Sequence, residues 1–147
     1  MFQRILVATD GSDLSNKAID SAVDLAKNNG AQVVALTVVP RYPASFLEGA
    51  MTYSPDEIAN IERRWAETAQ AALDAAAQRA RLQGVELQIA TVNSDHVAEA
   101  VIAAAAKHHS DLIVMASHGR KGINRLLLGS ETQHVLTHSK LPVLVLR

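Results

Sequence analysis

Short apolar runs rich in β-branched residues alternate along the chain with longer segments in which alanine and other apolar residues return every three or four positions. Ile5-Leu6-Val7-Ala8-Thr9, Val33 to Val39, Leu112 to Met115 and Val143 to Leu146 show no polar alternation, whereas Leu87 to Val92 is mixed. Strands apolar on both faces suit a parallel sheet covered by helices. Ala18, Ala22 and Ala26 predict a first helix, and Ile58, Ile61, Trp65, Ala69, Ala72, Ala76 and Ala80 a long second one. Ser54-Pro55-Asp56-Glu57 opens the second with a capping serine, proline at the first helical position and glutamate at the third. Val97, Val101 and Ala105 predict a third helix begun by Ser94 or Asp95, and Val135 with Leu136 lies in a short fourth. The order β-α-β-α-β-α-β-α-β predicts an open α/β fold with right-handed crossovers, in one domain over residues 1–147.

In such sheets a ligand lies beyond the carboxyl ends of the strands, where strand order reverses. Ala8-Thr9-Asp10-Gly11-Ser12, Val38-Val39-Pro40 and the stretch ASHGRKGINRLLLGSETQ at 116–133 all fall on that rim. Gly119 can bring backbone close to a ligand, and Gly129-Ser130 stands where the fourth helix begins, with free amides and a positive helix end. Arg120, Lys121 and Arg125 could neutralise phosphate charge, or form an ordinary solvated loop. Local roles compete with each of these. Ser130-Glu131-Thr132-Gln133 is also a complete capping box, Asp10-Gly11-Ser12 also a turn with an N-cap, and Leu126-Leu127-Leu128 also core or interface.

Composition acts mainly by exclusion. With 147 residues, 48% hydrophobic and 20% charged, the chain can build a real core. A net charge of −1, with basic residues dispersed, gives no footprint for nucleic acid. The absence of cysteine excludes disulfides and thiolate metal sites. MFQRILVATDG has too short an apolar run for a signal segment, and no stretch approaches the ~18 apolar residues of a membrane span. The expectation is a cytoplasmic protein without membrane insertion.

RILVATDGSDLS, SDLIVMASHGRKGINRLLLGSETQHVL and the closing KLPVLVLR resemble the universal stress proteins of the UspA superfamily, from one end of the chain to the other. The resemblance implies a Rossmann-like, adenine nucleotide alpha hydrolase-like sheet of five parallel strands with helices on both faces. It also implies a homodimer in which the last strands, here 142–146, pair. Members of the family bind ATP through Gly-x2-Gly-x9-Gly-Ser/Thr, or lack that pattern and do not. Gly119, the nine residues Arg120 to Leu128, and Gly129-Ser130 match it, but Ala116 replaces the first glycine. Alanine there admits a ribose only if its φ is negative. By the same resemblance Thr9, Asp10 and Val38 border adenine and ribose, Met115 and Ala116 the ribose, and Gly119, Gly129, Ser130 and Thr132 the triphosphate. Ala8, His118 and Glu131 complete the cofactor-binding set; the Glu131 carboxylate sits beside the phosphates and is expected to turn to solvent while its amide donates.

Rapid phosphoryl transfer needs a placed base and usually Mg2+ held by carboxylates. Asp10, Asp13, Glu131 and His118 are the rim candidates, and none has a partner assignable from sequence, so no catalytic residue is named. His108-His109 diverge on a helix and His134 with His138 lacks a glutamate companion, which predicts no metal site. The reading is an ATP-binding stress-response or signalling module, taking ATP with or without Mg2+ and at most hydrolysing it slowly. Two alternatives stand: a non-nucleotide-binding interaction protein of the same family, favoured by Ala116, and an ATP-using enzyme. The long connector at 40–54, with Phe46, Leu47, Met51 and Tyr53, is expected to pack over the rim or against a partner subunit, or to be a plain surface connector.

Overall fold

The computed structural model describes residues 1–42, 53–119 and 128–147. Strands and helices alternate as β1 (Arg4–Ala8), α1 (Asp13–Asn29), β2 (Gln32–Val39), α2 (Pro55–Leu82), β3 (Leu87–Asn93), α3 (Val97–Lys107), β4 (Leu112–Ala116), α4 (Ser130–His138) and β5 (Val143–Leu146). All neighbouring strands are parallel, in the order β3-β2-β1-β4-β5.

The apolar runs are explained by burial on two sides. Ile5 and Val7 face α1 and α2, while Leu6 between them faces α3 and α4, and none of the three is exposed. Full burial of one such side chain stabilises the fold by about 1.5–3 kcal/mol, so a polar residue at any of them would be costly. The edge strand β3 is less completely covered, with Gln88, Thr91 and Asn93 exposed, which accounts for its mixed sequence.

Local signals set two helix starts as expected. Ser12 caps α1 by accepting from the Ser15 amide, and Gly30 ends it in the left-handed region at φ 68°. Ser54 and Glu57 form a reciprocal capping box on α2. The start of α3 differs from expectation, since its N-cap is His96 and makes no side-chain cap bond. Ser94 and Asp95 serve the preceding turn, accepting from the amides of His96 and Arg41.

Helix α2 outruns the sheet. Its 28 residues span about 42 Å, whereas a strand such as β2 spans about 26 Å. Its buried residues, Ala69, Leu73, Ala76 and Ala80, all lie in the second half. Ile58, Ile61 and Trp65, placed on the same stripe by sequence, are only half-buried. Tyr42 stacks on Trp65 and meets Tyr53 edge to face, with centroids 6.4 and 5.9 Å apart. These rings join the two ends of the connector. Phe46, Leu47 and Met51 lie outside the described residues, and so does the body of the expected rim cover.

Candidate functional site

Strand order reverses between β1 and β4, and the crevice beyond their carboxyl ends is the natural ligand position in a sheet of this kind. One wall is the turn after β1. Buried Thr9 extends the ladder through its amide to Leu36 O, and its hydroxyl joins Ser15 Oγ at 2.9 Å and accepts from the Gly11 amide. Gly11 has φ 79°, a conformation that suits glycine. Asp10 accepts from the Ser12 amide at 2.9 Å and stands exposed on the rim. Ala8 and, on β2, Val38 are half-buried on the α3/α4 side.

The other wall follows β4. Met115 and Ala116 are buried, and Ala116 pairs in register with Leu146. Among the described residues the one non-glycine with positive φ is His109, so Ala116 keeps ordinary strand backbone and alanine fits there without strain. Ser117 donates to Leu146 O, and its hydroxyl meets His118 Nδ1 at 3.1 Å. Gly129 then returns to the strand end by donating to Ser117 O at 2.7 Å.

Both glycines sit at close approaches, and neither has the left-handed φ found at Gly11. A Cβ on Gly119 would overlap Asp10 Oδ2, so this glycine lets the two walls touch. A Cβ on Gly129 would lie 3.2 Å from Ser117 O. The neighbours Arg120, Lys121, Arg125, Leu126 and Leu127 lie outside the described residues.

The capping box expected on α4 does not form. Gly129 is the N-cap, Ser130 is the first helical residue, and among the described residues no side chain is seen to cap this end. The reason is tertiary: the Gly129 amide is held by Ser117 O, which fixes residue 129 as the half-helical position. Glu131 is exposed, and its carboxylate has a partner that the sequence did not signal: it accepts from the Ala98 amide in the first turn of α3 at 2.9 Å. Thr132 is buried and donates its hydroxyl to Ala116 O at 2.8 Å, which leaves its amide as the group available to a ligand.

Three helix N-termini therefore meet this rim in different states. Ser12 caps α1, with Asp13 in its first turn, and the Glu131 carboxylate serves α3. At α4 the first intrahelical bond runs from Gln133 to Gly129 O, and the amides of Ser130, Glu131 and Thr132 take no acceptor among the described residues. Such an end, with unpaired amides and a positive dipole, is suited to an anion.

The other histidines have local roles. His108 and His109 terminate α3, and His134 and His138 stack at 4.2 Å with His138 Nδ1 3.0 Å from His134 O. Two clefts among the described residues lie away from the rim, one between α2 and β3 lined by Asp74, Arg81 and Leu87, another by Ser110, His138 and Lys140 near the far ends of α3 and α4. The chain's polar and glycine segments gather instead at the topological switch point between β1 and β4.

The model of the universal stress protein family matches residues 1–147. The chain belongs to that family. Universal stress protein YxiE of Bacillus subtilis is similar at 35% identity, with 100% of both chains covered. Among solved structures, universal stress protein UspA from Lactobacillus plantarum matches with a TM-score of 0.83 at 25% identity, covering 99% of this chain and 97% of that one. A universal stress protein crystallised in complex with cAMP matches with a TM-score of 0.68 at 26% identity, covering 99% and 97%. The five-stranded parallel α/β architecture is thus the family's own. No helix among the described residues is long and apolar enough to cross a membrane.

Proposed function

We propose that this universal stress protein binds an adenine nucleotide in the crevice between the β1 turn and the start of α4, and acts as a stress-response module through the liganded state. The observation that carries the reading is the uncapped α4 N-terminus at the switch point. Thr9, Asp10, Val38, Met115 and Ala116 border the base and ribose, and the amides of Ser130, Glu131 and Thr132 receive phosphate, with Gly119 and Gly129 keeping the walls close. The cAMP complex of a similar chain supports the ligand class. Gly119-x9-Gly129-Ser130 supports ATP, alone or with Mg2+, as the ligand.

The same site argues against fast phosphoryl transfer. Asp10 accepts from the Ser12 amide and the Glu131 carboxylate is tied to α3, so at most slow hydrolysis follows. The working form is a cytoplasmic homodimer joined through the edge strand β5. Ala116 favours a second reading, an interaction protein that binds no nucleotide.

Nucleotide extracted from purified, never-dialysed protein and identified by mass spectrometry tests the proposal. Bound adenine nucleotide is the expected result. Its absence, together with no melting shift under saturating Mg-ATP, cAMP or AMP, would decide for the second reading. A ligand at 100 times its dissociation constant adds about 2.7 kcal/mol of stability, which such a shift detects.

A further inference from the structure

Glu131 is the second residue of α4, so its amide belongs to the donors offered to phosphate, yet its carboxylate is held against the first turn of α3. That bond keeps a negative charge at the mouth between two helix N-termini. Bond lengths hold a glutamate carboxylate within about 6 Å of its own amide nitrogen. A phosphate oxygen hydrogen-bonded to that amide, about 3 Å further on, therefore meets this charge at roughly 9 Å or less, about a Debye length at physiological salt. The α3 end offsets the charge only in part, since a helix terminus carries about half an elementary charge.

We infer that Glu131 is a charge selector: it ranks adenine nucleotides at this site by phosphate charge, favouring one phosphate group over a metal-free triphosphate. The inference rests on the nucleotide reading above and specifies which nucleotide that site prefers. Close to neutral pH a terminal phosphate carries about two charges, and each further phosphate in the chain adds another. Repulsion from a fixed carboxylate grows in proportion to that charge. A divalent cation on the triphosphate removes most of the difference, so ATP is taken as its Mg2+ complex.

Titration calorimetry with AMP and with ATP, in buffer containing EDTA, tests this on the native protein and on Glu131→Gln. Glutamine keeps an oxygen that can accept from the Ala98 amide, so the variant removes charge while preserving the cap. The expected result is an ATP dissociation constant lowered about three- to ten-fold, with AMP changed less than about two-fold. The difference should shrink as salt is raised. Equal factors for both nucleotides, or no change in either, would leave the site standing and remove the selector. Weakening of both with a lower melting temperature would make Glu131 a helix cap and nothing more. If neither nucleotide binds native protein or variant, the nucleotide reading itself is wrong and the selector is lost with it.

Discussion

The buried hydroxyl of Thr132 donates to the carbonyl of Ala116 across 2.8 Å, so the first turn of α4 hangs from the last residue of β4. The residue that orients the candidate phosphate donors is thereby tied to the residue that would border the ribose. Thr132→Val keeps the shape and removes the donor, leaving a buried carbonyl unpaired at a cost of about 1–3 kcal/mol. Urea denaturation should show that loss with an unchanged slope. Nucleotide affinity should fall as well, because the α4 amides lose their anchor; a stability loss with undiminished affinity would show that this bond does not position them.

Gly129 and Ser130 separate close packing from capping. In Gly129→Val the new Cβ meets Ser117 O at 3.2 Å and His118 Cα at 3.4 Å, which sets a branched side chain at the N-cap of α4. Overpacking of this kind costs about 1–3 kcal/mol, and the nucleotide-dependent melting shift should disappear. Ser130→Ala should cost less than about 0.5 kcal/mol, since Ser130 is the first helical residue and not the N-cap. A loss near 1 kcal/mol in that alanine variant would mean that the serine does cap.

How far the sequence discloses this site depends on the range of the interaction that decides each feature. The strands were legible because burial on both faces leaves Ile5, Leu6 and Val7 all apolar, and α2 was legible because Ser54 and Glu57 cap it within three residues. The start of α3 was not, because the carboxylate serving it arrives from Glu131, which is 33 positions away. Local pattern likewise placed the α4 cap at Ser130, whereas the contact of Gly129 with Ser117 O sets it one residue earlier. Gly119 signals a close approach in the sequence, but only the folded chain reveals the Asp10 carboxylate as what approaches.

Ala116→Gly tests whether the one departure from the family's glycine pattern matters. Ala116 already has strand backbone and is paired with Leu146, so glycine relieves no strain there. The substitution should cost about 0.5–1 kcal/mol through added chain entropy. Nucleotide affinity should change less than about two-fold, read by titration. A nucleotide-dependent melting shift that appears only in the glycine variant would show that the alanine methyl blocks the site.

Asp111 gives stability a dependence on pH. Its partial desolvation pushes the carboxyl pKa upward, but hydrogen bonds from the amides of Gln3 and Arg4, with its own amide and the N-terminal charge, outweigh this and hold it below the ordinary value. A carboxyl depressed in the folded state stabilises the protein fully above its unfolded pKa, near 4. That contribution fades as pH falls through the lower folded value. Urea midpoints measured from pH 7 down to 3 should therefore drop, and Asp111→Asn should flatten the acid side of the curve. An identical acid slope in the variant would assign the drop to other carboxyls.

The assembly can be tested through the direction of the β5 backbone. Ile113 donates to Pro142 O and Ser117 to Leu146 O, so the even-numbered residues of this strand turn their main-chain groups toward β4. In a parallel ladder the alternate residues, Val143 and Val145, then turn theirs to the open edge. An open edge of this kind invites another strand, and two-fold pairing would place the same segment of each copy opposite itself. Val145→Pro removes an outward donor and leaves the bonds to β4 intact, since proline is tolerated where a strand's N–H faces away from its sheet. Light scattering should show a dimer for the native chain and a monomer for Val145→Pro, with far-ultraviolet circular dichroism unchanged. Val145→Lys should act in the same direction by placing a desolvated charge within the joint sheet. A proline variant that stays dimeric with native-like dissociation would exclude backbone pairing of β5, and the copies would then meet through another face.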